Sequence, residues 1–423
     1  MSVVSLADVE KAKGVLIIGA RDLVTPLAAD RAKELNVRIE RDTAQATAPA
    51  SSMGRTTPIQ PAVKTPNPAA LVSNRSVRQQ APVQPSALSG ALYRRGAPVP
   101  SQMRVGDVRR DAAVDSRPSA AVIGAGHVGA MTAMRLAETS LFSRVMLVDI
   151  VPGLAAGLAL DMWHSSALRG FTTRIEGSTE LSALQGADYI VMTAGRPRQP
   201  GMTRTDLTGV NAEIIDGVAT GIRNHAPNAV VVVVTNPLEE MTHLMAKRTG
   251  FPPNRVIGMA GVLDSARFCS LVALEGIARP QDVKAIALGS HGAEMVIPLS
   301  LATVDGQSLE RLLPADRLSA LVERARDSGA EVVKLLQKGS AYFSPAESAA
   351  AMVAAMIKSS DTIIAACVQS GGAYRVLDTR IGLPVRLGRE GVKEIIELPL
   401  RSGERAALAE AARSIAKRVS ELG

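Results

Sequence analysis

The sequence predicts an α/β protein built on a doubly wound parallel sheet, preceded by an N-terminal extension and a long disordered linker. Three observations carry this expectation. From residue 118 to the end, short apolar runs alternate with helix-length segments, the pattern of repeated strand–helix–strand units. The runs are rich in β-branched residues and apolar throughout, as strands buried on both faces are. Between residues 41 and 117 there is no hydrophobic periodicity, and 9 of the 24 prolines fall there. Such a segment holds too little apolar side chain to offset the entropy of ordering it.

Taken in order, residues 15–18 (Val-Leu-Ile-Ile) form a strand candidate. Thr25-Pro26 reads as an N-cap followed by proline at the first helical position. Leu27, Ala28, Ala32 and Leu35 lie close to one helical face, and residues 37–39 are a second strand candidate. The linker over 41–117 is too long for a loop inside one compact domain, which places a boundary on each side. Beyond it, residues 120–123 read as a strand, followed by a Gly-rich turn and a helix from about 128 to 139. Residues 145–148, 189–193 and 230–234 read as further strands, and 285–288 as strand-like. Leu408, Ala412, Ile415, Val419 and Leu422 recur at three- and four-residue spacing, so the chain ends in an amphipathic helix.

Composition narrows the function. Hydrophobic residues make up 46% and charged residues 21%, ordinary for a soluble globular protein with a core. Aromatics are only 2%, so the core is expected to be aliphatic and methionine-rich. No apolar run approaches the ~18 residues of a membrane helix, and the charged N-terminus does not read as a secretory leader. Two cysteines, Cys269 and Cys367, imply no disulfide framework and fit a reducing cytosol, so a cytoplasmic, membrane-free protein is expected. The net charge is +8, of which +7 (11 Arg/Lys minus 4 Asp/Glu) sits in residues 41–117. The remainder is almost neutral, and no basic face interleaved with aromatics suggests nucleic acid. No Cys/His cluster suggests a metal.

Gly124-Ala125-Gly126-His127-Val128-Gly129 follows an apolar strand and opens a helix, the context that a G-x-G-x-x-G dinucleotide motif requires. The first glycine permits the tight turn, the second lets backbone N–H groups approach a pyrophosphate, and the third lets helix and strand pack closely. The His127 ring is expected to point away from the glycine backbone. Asp149 ends the second strand about twenty residues past the last glycine, where a carboxylate accepts from ribose hydroxyls and repels a 2′-phosphate. NAD is therefore expected rather than NADP.

Of the five histidines, His127 lies in this loop, and His164, His225 and His243 fall in helical contexts that suit surface or packing roles. His291 differs, standing in Gly289-Ser290-His291-Gly292 after the strand-like 285–288. Asp264 and Arg267 are three residues apart, so on a helix they share a face. A buried aspartate there can hold the His291 tautomer and stabilise its imidazolium, and Arg267 can grip a carboxylate with two parallel hydrogen bonds. Residues 195–204 are rich in Gly, Pro and Arg, as a hinged cationic lid would be. Val234-Thr235-Asn236-Pro237 ends an apolar strand with a polar amide, where an α/β sheet presents ligand-binding groups.

Together with Gly339-Ser340-Ala341-Tyr342-Phe343, these segments resemble the lactate/malate dehydrogenase family, in its malate-type branch, over roughly the last three-quarters of the chain. The resemblance implies a Rossmann NAD-binding domain over 118–264 and an α+β catalytic domain over 265–423. It also implies reversible hydride transfer between malate or oxaloacetate and NAD(H), and a homo-oligomer, dimer or tetramer. By that pattern His291 is the proton donor and acceptor, Asp264 its partner, and Arg204 the lid arginine that polarises the carbonyl. Arg267 binds the C1 carboxylate, Asn236 orients the reacting oxygen, and Asn211 and Val234 line the cofactor. Arg198 selects the substrate: a guanidinium in a dry site pairs with a second carboxylate and is left uncompensated by pyruvate. A lactate-type specificity is the alternative within the family, and a non-catalytic NAD-binding scaffold the alternative outside it. Two departures are notable. Ala293-Glu294 follow His-Gly where the family usually has aspartate, and Glu239 stands where aspartate is common.

Residues 1–40 lie outside that resemblance. Their stretch over 24–32 resembles short segments on enzymes associated with bacterial microcompartments, which implies a targeting peptide that docks to a shell or core protein. Self-association through a local βα element is the other reading.

Overall fold

The computed structural model describes residues 3–4, 9–10, 12, 14–19, 22–24, 32–42, 115–197, 203–337 and 339–422. The chain divides into two compact units, residues 1–101 and 102–423.

In the first unit a strand, Val15–Gly19, pairs in parallel with Arg38–Asp42, and Val3–Val4 pairs in parallel with Leu23–Val24. Val9, Ile18, Ala32 and Val37 are buried together. The helix start expected at Thr25-Pro26 lies outside the described residues, as does almost all of the expected linker.

In the second unit the strands of the main sheet are β1 (Ser119–Ile123), β2 (Arg144–Val148), β3 (Arg174–Ser178), β4 (Tyr189–Met192), β5 (Val230–Val233), β6 (Val256–Gly258), β7 (Leu288–Gly289), β8 (Met295–Val296), β9 (Ile363–Gln369), β10 (Arg380–Gly388) and β11 (Gly391–Ile395). The helices that position the site are α1 (His127–Glu138), α2 (Leu154–His164), α3 (Arg204–His225), α4 (Leu238–Thr249), α5 (Gly261–Ala273), α6 (Ala315–Leu336), α7 (Phe343–Lys358) and α8 (Ser402–Ser420). One sheet runs β8-β7-β10-β9-β6-β5-β4-β1-β2-β3, with β11 beside β10. From β3 to β6 every pairing is parallel, in the order 3-2-1-4-5-6 of the Rossmann fold. From β6 onward the pairings are antiparallel.

The inner parallel strands β1, β4, β5 and β6 are buried on both faces, as is β2 after its first residue, which explains their unbroken apolar runs, whereas the edge strand β3 buries only Ile175. Alternate residues feed opposite layers. Ala120 and Val122 belong to the apolar cluster that also takes in Leu136 of α1, Met352 of α7 and Leu408 of α8. Ala121 and Ile123 belong to a second cluster, with Ile222 of α3 and Met241 of α4. The core is aliphatic and rich in methionine, with Phe142 meeting Tyr189 edge-on at 6.4 Å. At about 0.8 kcal/mol per buried CH₂, such aliphatic packing is the main favourable contribution.

One strand is shorter than expected. Of residues 285–288 only Leu288 is in a strand. Val283–Lys284 instead pairs with Thr303–Val304 in a separate small sheet, and the chain crosses between the two sheets over 285–287. There the Ala287 N–H donates to the Ser265 hydroxyl of α5 at 2.9 Å rather than to a neighbouring strand. The C-terminal helix buries Leu408, Ala411, Ala412 and Ile415, whereas Leu422 falls beyond its end.

Candidate active site

The carboxyl ends of β1, β2, β4 and β5 gather the first group of residues. Gly124 turns the chain with φ +99°, and a Cβ there would lie 2.6 Å from the Ala194 nitrogen. At Gly129 a Cβ would fall 1.7 Å from the Gly124 oxygen, so α1 can approach β1 only without a side chain. A Cβ at Gly126 would meet no protein atom within 4 Å. That open side leaves room for a ligand's approach. Gly126 is also the N-cap of α1, with no side chain capping it and no acid in the first turn. The helix thus presents free N–H donors and its positive dipole end to an anion.

Asp149 follows β2. Its carboxylate accepts the Ala125 N–H at 2.6 Å and the Val151 N–H at 2.9 Å. The expected acid therefore braces the glycine loop as well as standing at its rim. The Thr193 hydroxyl donates to Ile123 and Gly124 carbonyls, tying β4 to the same turn. His127, the first residue of α1, turns outward and stacks on Tyr342 with ring centroids 5.0 Å apart, and Val128 follows it in the helix.

Asn211, 1% exposed on α3, joins two loops. Its amide oxygen accepts the Arg196 N–H at 2.7 Å, and its amide nitrogen donates to the Asn236 carbonyl at 2.6 Å. The Thr235 hydroxyl donates to the Ala194 carbonyl at 2.7 Å. Val234, Thr235 and Asn236 are thereby held beside residues 194–196, where a dinucleotide running from the glycine loop along the strand ends would pass. Of the expected lid, Arg198 lies outside the described residues. Arg204 is the first residue of α3, which Thr203 opens with a reciprocal capping box to Asp206.

The second group forms around His291. Strands β7 and β8 make a tight hairpin with Gly289 opposite Met295, and residues 290–294 are its turn. His291 Nδ1 lies 2.9 Å from Asp264 Oδ2 on α5. Asp264 is 1% exposed, and its other oxygen receives Arg267 at 3.4 Å. The acid–base pair expected on one helical face is therefore formed, and it is buried rather than a surface ion pair. The His291 backbone N–H donates to Glu239 Oε1 at 2.6 Å, which joins the turn to the segment that follows Asn236.

The electrostatics suit a proton carrier. Burial alone would push His291 down, but Asp264, through charge and hydrogen bond, and Glu239 outweigh it against Arg267, so the imidazole titrates above its ordinary value. Burial pushes the Glu239 carboxyl up, opposed by the His291 N–H. Burial likewise draws the Arg267 guanidinium down, with Asp264 opposing. A guanidinium so poorly solvated gains from meeting a carboxylate. Among the described residues no group of three or more His, Cys, Asp or Glu side chains is gathered for a metal, and no helix is long and apolar enough to cross a membrane.

Several participants escape a reading of the sequence. Glu239 reads there only as a departure from a pattern, yet it is 2% exposed and fixes the His291 backbone. Tyr342 belongs to a quoted signature without a role, and Arg418, treated below, carries no signal except its place on an amphipathic helix.

Comparison with known proteins adds the following. Residues 119–258 match the lactate/malate dehydrogenase NAD binding domain, and residues 261–422 match the lactate/malate dehydrogenase alpha/beta C-terminal domain. A malate dehydrogenase of Chloroherpeton thalassium is 45% identical over 294 residues, covering 70% of this chain and 95% of that protein. The crystal structure of Cryptosporidium parvum malate dehydrogenase superposes with a TM-score of 0.70 at 36% identity, over 72% of this chain and 99% of that one. The lactate dehydrogenase of Cryptosporidium parvum, complexed with lactic acid and nicotinamide adenine dinucleotide, gives a TM-score of 0.70 at 34% identity, over 72% of this chain and 98% of that one.

Proposed function

We infer the reaction from the premise that this chain belongs to the lactate/malate dehydrogenase family: it catalyses the NAD-dependent interconversion of malate and oxaloacetate. The observation that carries the chemistry is the buried His291 Nδ1···Asp264 Oδ2 contact with Arg267 on the same carboxylate. The residues at the glycine turn fit NAD: an open cradle at Gly126, an uncapped helix end, and the Asp149 carboxylate at the rim.

When bound, the nicotinamide supplies or accepts the hydride. The chain's own residues do the rest. His291, protonated, gives its proton to the developing alkoxide through Nε2, while Asp264 holds Nδ1–H and stabilises the imidazolium. Arg267 binds the C1 carboxylate in two parallel bonds. Asn236 orients the reacting oxygen, and Arg204 polarises it from the closing lid. Arg198 meets the second carboxylate and so favours oxaloacetate over pyruvate. Gly124, Ala125, Gly126, His127, Val128 and Gly129 cradle the pyrophosphate, Asp149 takes the ribose, and Asn211, Val234 and Thr235 line the nicotinamide end. The domains run over 118–264 and 265–423.

A homo-oligomer accords with α2, which leaves Leu160 and Trp163, three residues apart on one side of the helix, 55% and 39% exposed; an apolar surface of this kind suits a second copy. Residues 1–40 act as a docking segment, for a microcompartment shell or core protein, tethered through 41–117 to a cytoplasmic enzyme. The test is NADH oxidation with oxaloacetate against pyruvate. Wild type is expected to favour oxaloacetate about a thousandfold, and Arg198→Gln to remove most of that ratio. Equal rates on both substrates in wild type would overturn the assignment of Arg198.

A further inference from the structure

The C-terminal helix sends one cation behind the catalytic turn. On α8 the Arg418 side chain is 18% exposed and lies between two carboxylates from different elements. Its Nε donates to Glu240 Oε1 at 3.0 Å, and its Nη1 donates to Glu294 Oε1 at 2.9 Å. Glu240, on α4, is next to Glu239, which accepts the His291 backbone N–H. Glu294 closes the His291 turn: its other carboxylate oxygen accepts the Ser290 hydroxyl at 2.8 Å, and its carbonyl accepts the Ser290 N–H at 3.4 Å. The helix itself packs on the hairpin, for a Cβ at Gly289 would lie 3.4 Å from the Ala411 Cβ.

We propose that Arg418 is a positioning residue for the reaction, a guanidinium that locks the His291 turn to the helix following Asn236 by bridging Glu294 and Glu240. This rests on the reading of His291 as the acid and base. Glu240 and Glu294 both face Arg418, and without a cation between them their mutual repulsion would spread α4 from the turn. Two other poorly exposed cations are engaged elsewhere: Arg267 meets Asp264 at 3.4 Å, and Arg380 donates to the Val256 carbonyl at 2.7 Å. Planar and always charged, a guanidinium can address two carboxylates at fixed angles, which a lysine ammonium does less well. A shift of about 1 Å in the proton donor is enough to cost a large factor in rate, whereas binding of NADH at the distant glycine turn needs no such alignment.

The experiment uses the full chain and the variants Arg418→Met, Arg418→Lys and Glu294→Gln, with kcat and KM for oxaloacetate, and NADH binding followed by fluorescence. Arg418→Met is expected to lower kcat about tenfold, equivalent to about 1.4 kcal/mol in activation free energy, with NADH affinity and bound stoichiometry within about twofold. Arg418→Lys is expected to recover part of the loss. Glu294→Gln should lose less than Arg418→Met, and the double variant should lose no more than Arg418→Met alone, as coupled residues do. Unchanged kcat in Arg418→Met overturns the proposal, as does a loss that tracks NADH stoichiometry, which would mark unfolding. Additive losses in the double variant overturn the bridge through Glu294. If wild type itself fails to turn over oxaloacetate, the reading of the reaction fails, and the proposal with it; full wild-type activity with an indifferent Arg418 removes the proposal alone.

Discussion

Replacing Asp264 with asparagine isolates the electrostatic part of the acid–base pair, because the side chain keeps its shape. In the native site the carboxylate is 1% exposed and 2.9 Å from His291 Nδ1. Two unit charges about 4 Å apart at an effective dielectric constant of about 20 interact by about 4 kcal/mol. The asparagine oxygen can still accept the Nδ1 proton, so part of the hydrogen bond survives. A net loss of about 2–4 kcal/mol from the state with a charged imidazole corresponds to a fall of about 30- to 1,000-fold in kcat/KM for oxaloacetate. The pH profile supplies the sign. Reduction requires protonated His291, so kcat/KM falls as pH rises through its titration. Burial lowers that titration, and Asp264 is the largest cause raising it. Without the carboxylate, burial and Arg267 still lower the titration and only Glu239 still raises it. The alkaline limb should therefore move to lower pH. Steady-state rates at saturating NADH between about pH 5 and 9 measure both quantities, bracketing the ordinary imidazole range. A loss under threefold, or an alkaline limb that moves upward, would refute a charged Asp264 supporting His291.

Three further outcomes follow from the same geometry. His291→Asn should reduce turnover at least about a hundredfold, the scale of general acid catalysis, while NADH affinity by fluorescence titration stays within about threefold, since the glycine turn is untouched. Asp149→Ser removes the carboxylate at the rim of the glycine turn; losing a charged acceptor for the ribose hydroxyls costs about 1.5–3 kcal/mol, so the dissociation constant for NADH should rise at least about tenfold and that for NADPH much less. Deleting residues 1–114 should leave kcat and the melting temperature of the remaining enzyme within about twofold and a few degrees, because the second compact unit carries the matched domains; loss of activity measured in the same assay would show that the extension belongs to the catalytic fold.

Much of this protein can be read along the chain because the responsible physics is local. A strand, a glycine turn, a helix and an acid at β2 lie within residues 119–149, so the dinucleotide cradle is a matter of backbone conformation and short spacing. Asp264 and Arg267 share a face because a helix has 3.6 residues per turn. Buried parallel strands announce themselves because both faces are apolar. Even so, the strand-like run over 285–288 misleads, since hydrophobicity does not say which of two sheets a segment joins.

The tertiary structure alone decided the rest, because it concerns partners far apart in sequence whose energies depend on burial. Asp264 reaches His291 across 27 residues and Glu239 reaches it across 52, while Arg418 reaches Glu240 across 178. A carboxylate such as Glu239 is costly when buried and valuable when it accepts a particular N–H, and nothing local distinguishes the two cases. The residue types at the site are thus inscribed along the chain. Which of them lose water together, and so acquire shifted protonation and fixed direction, is settled only when the sheet brings the turn of β7 and β8, the start of α4 and the end of α8 into contact.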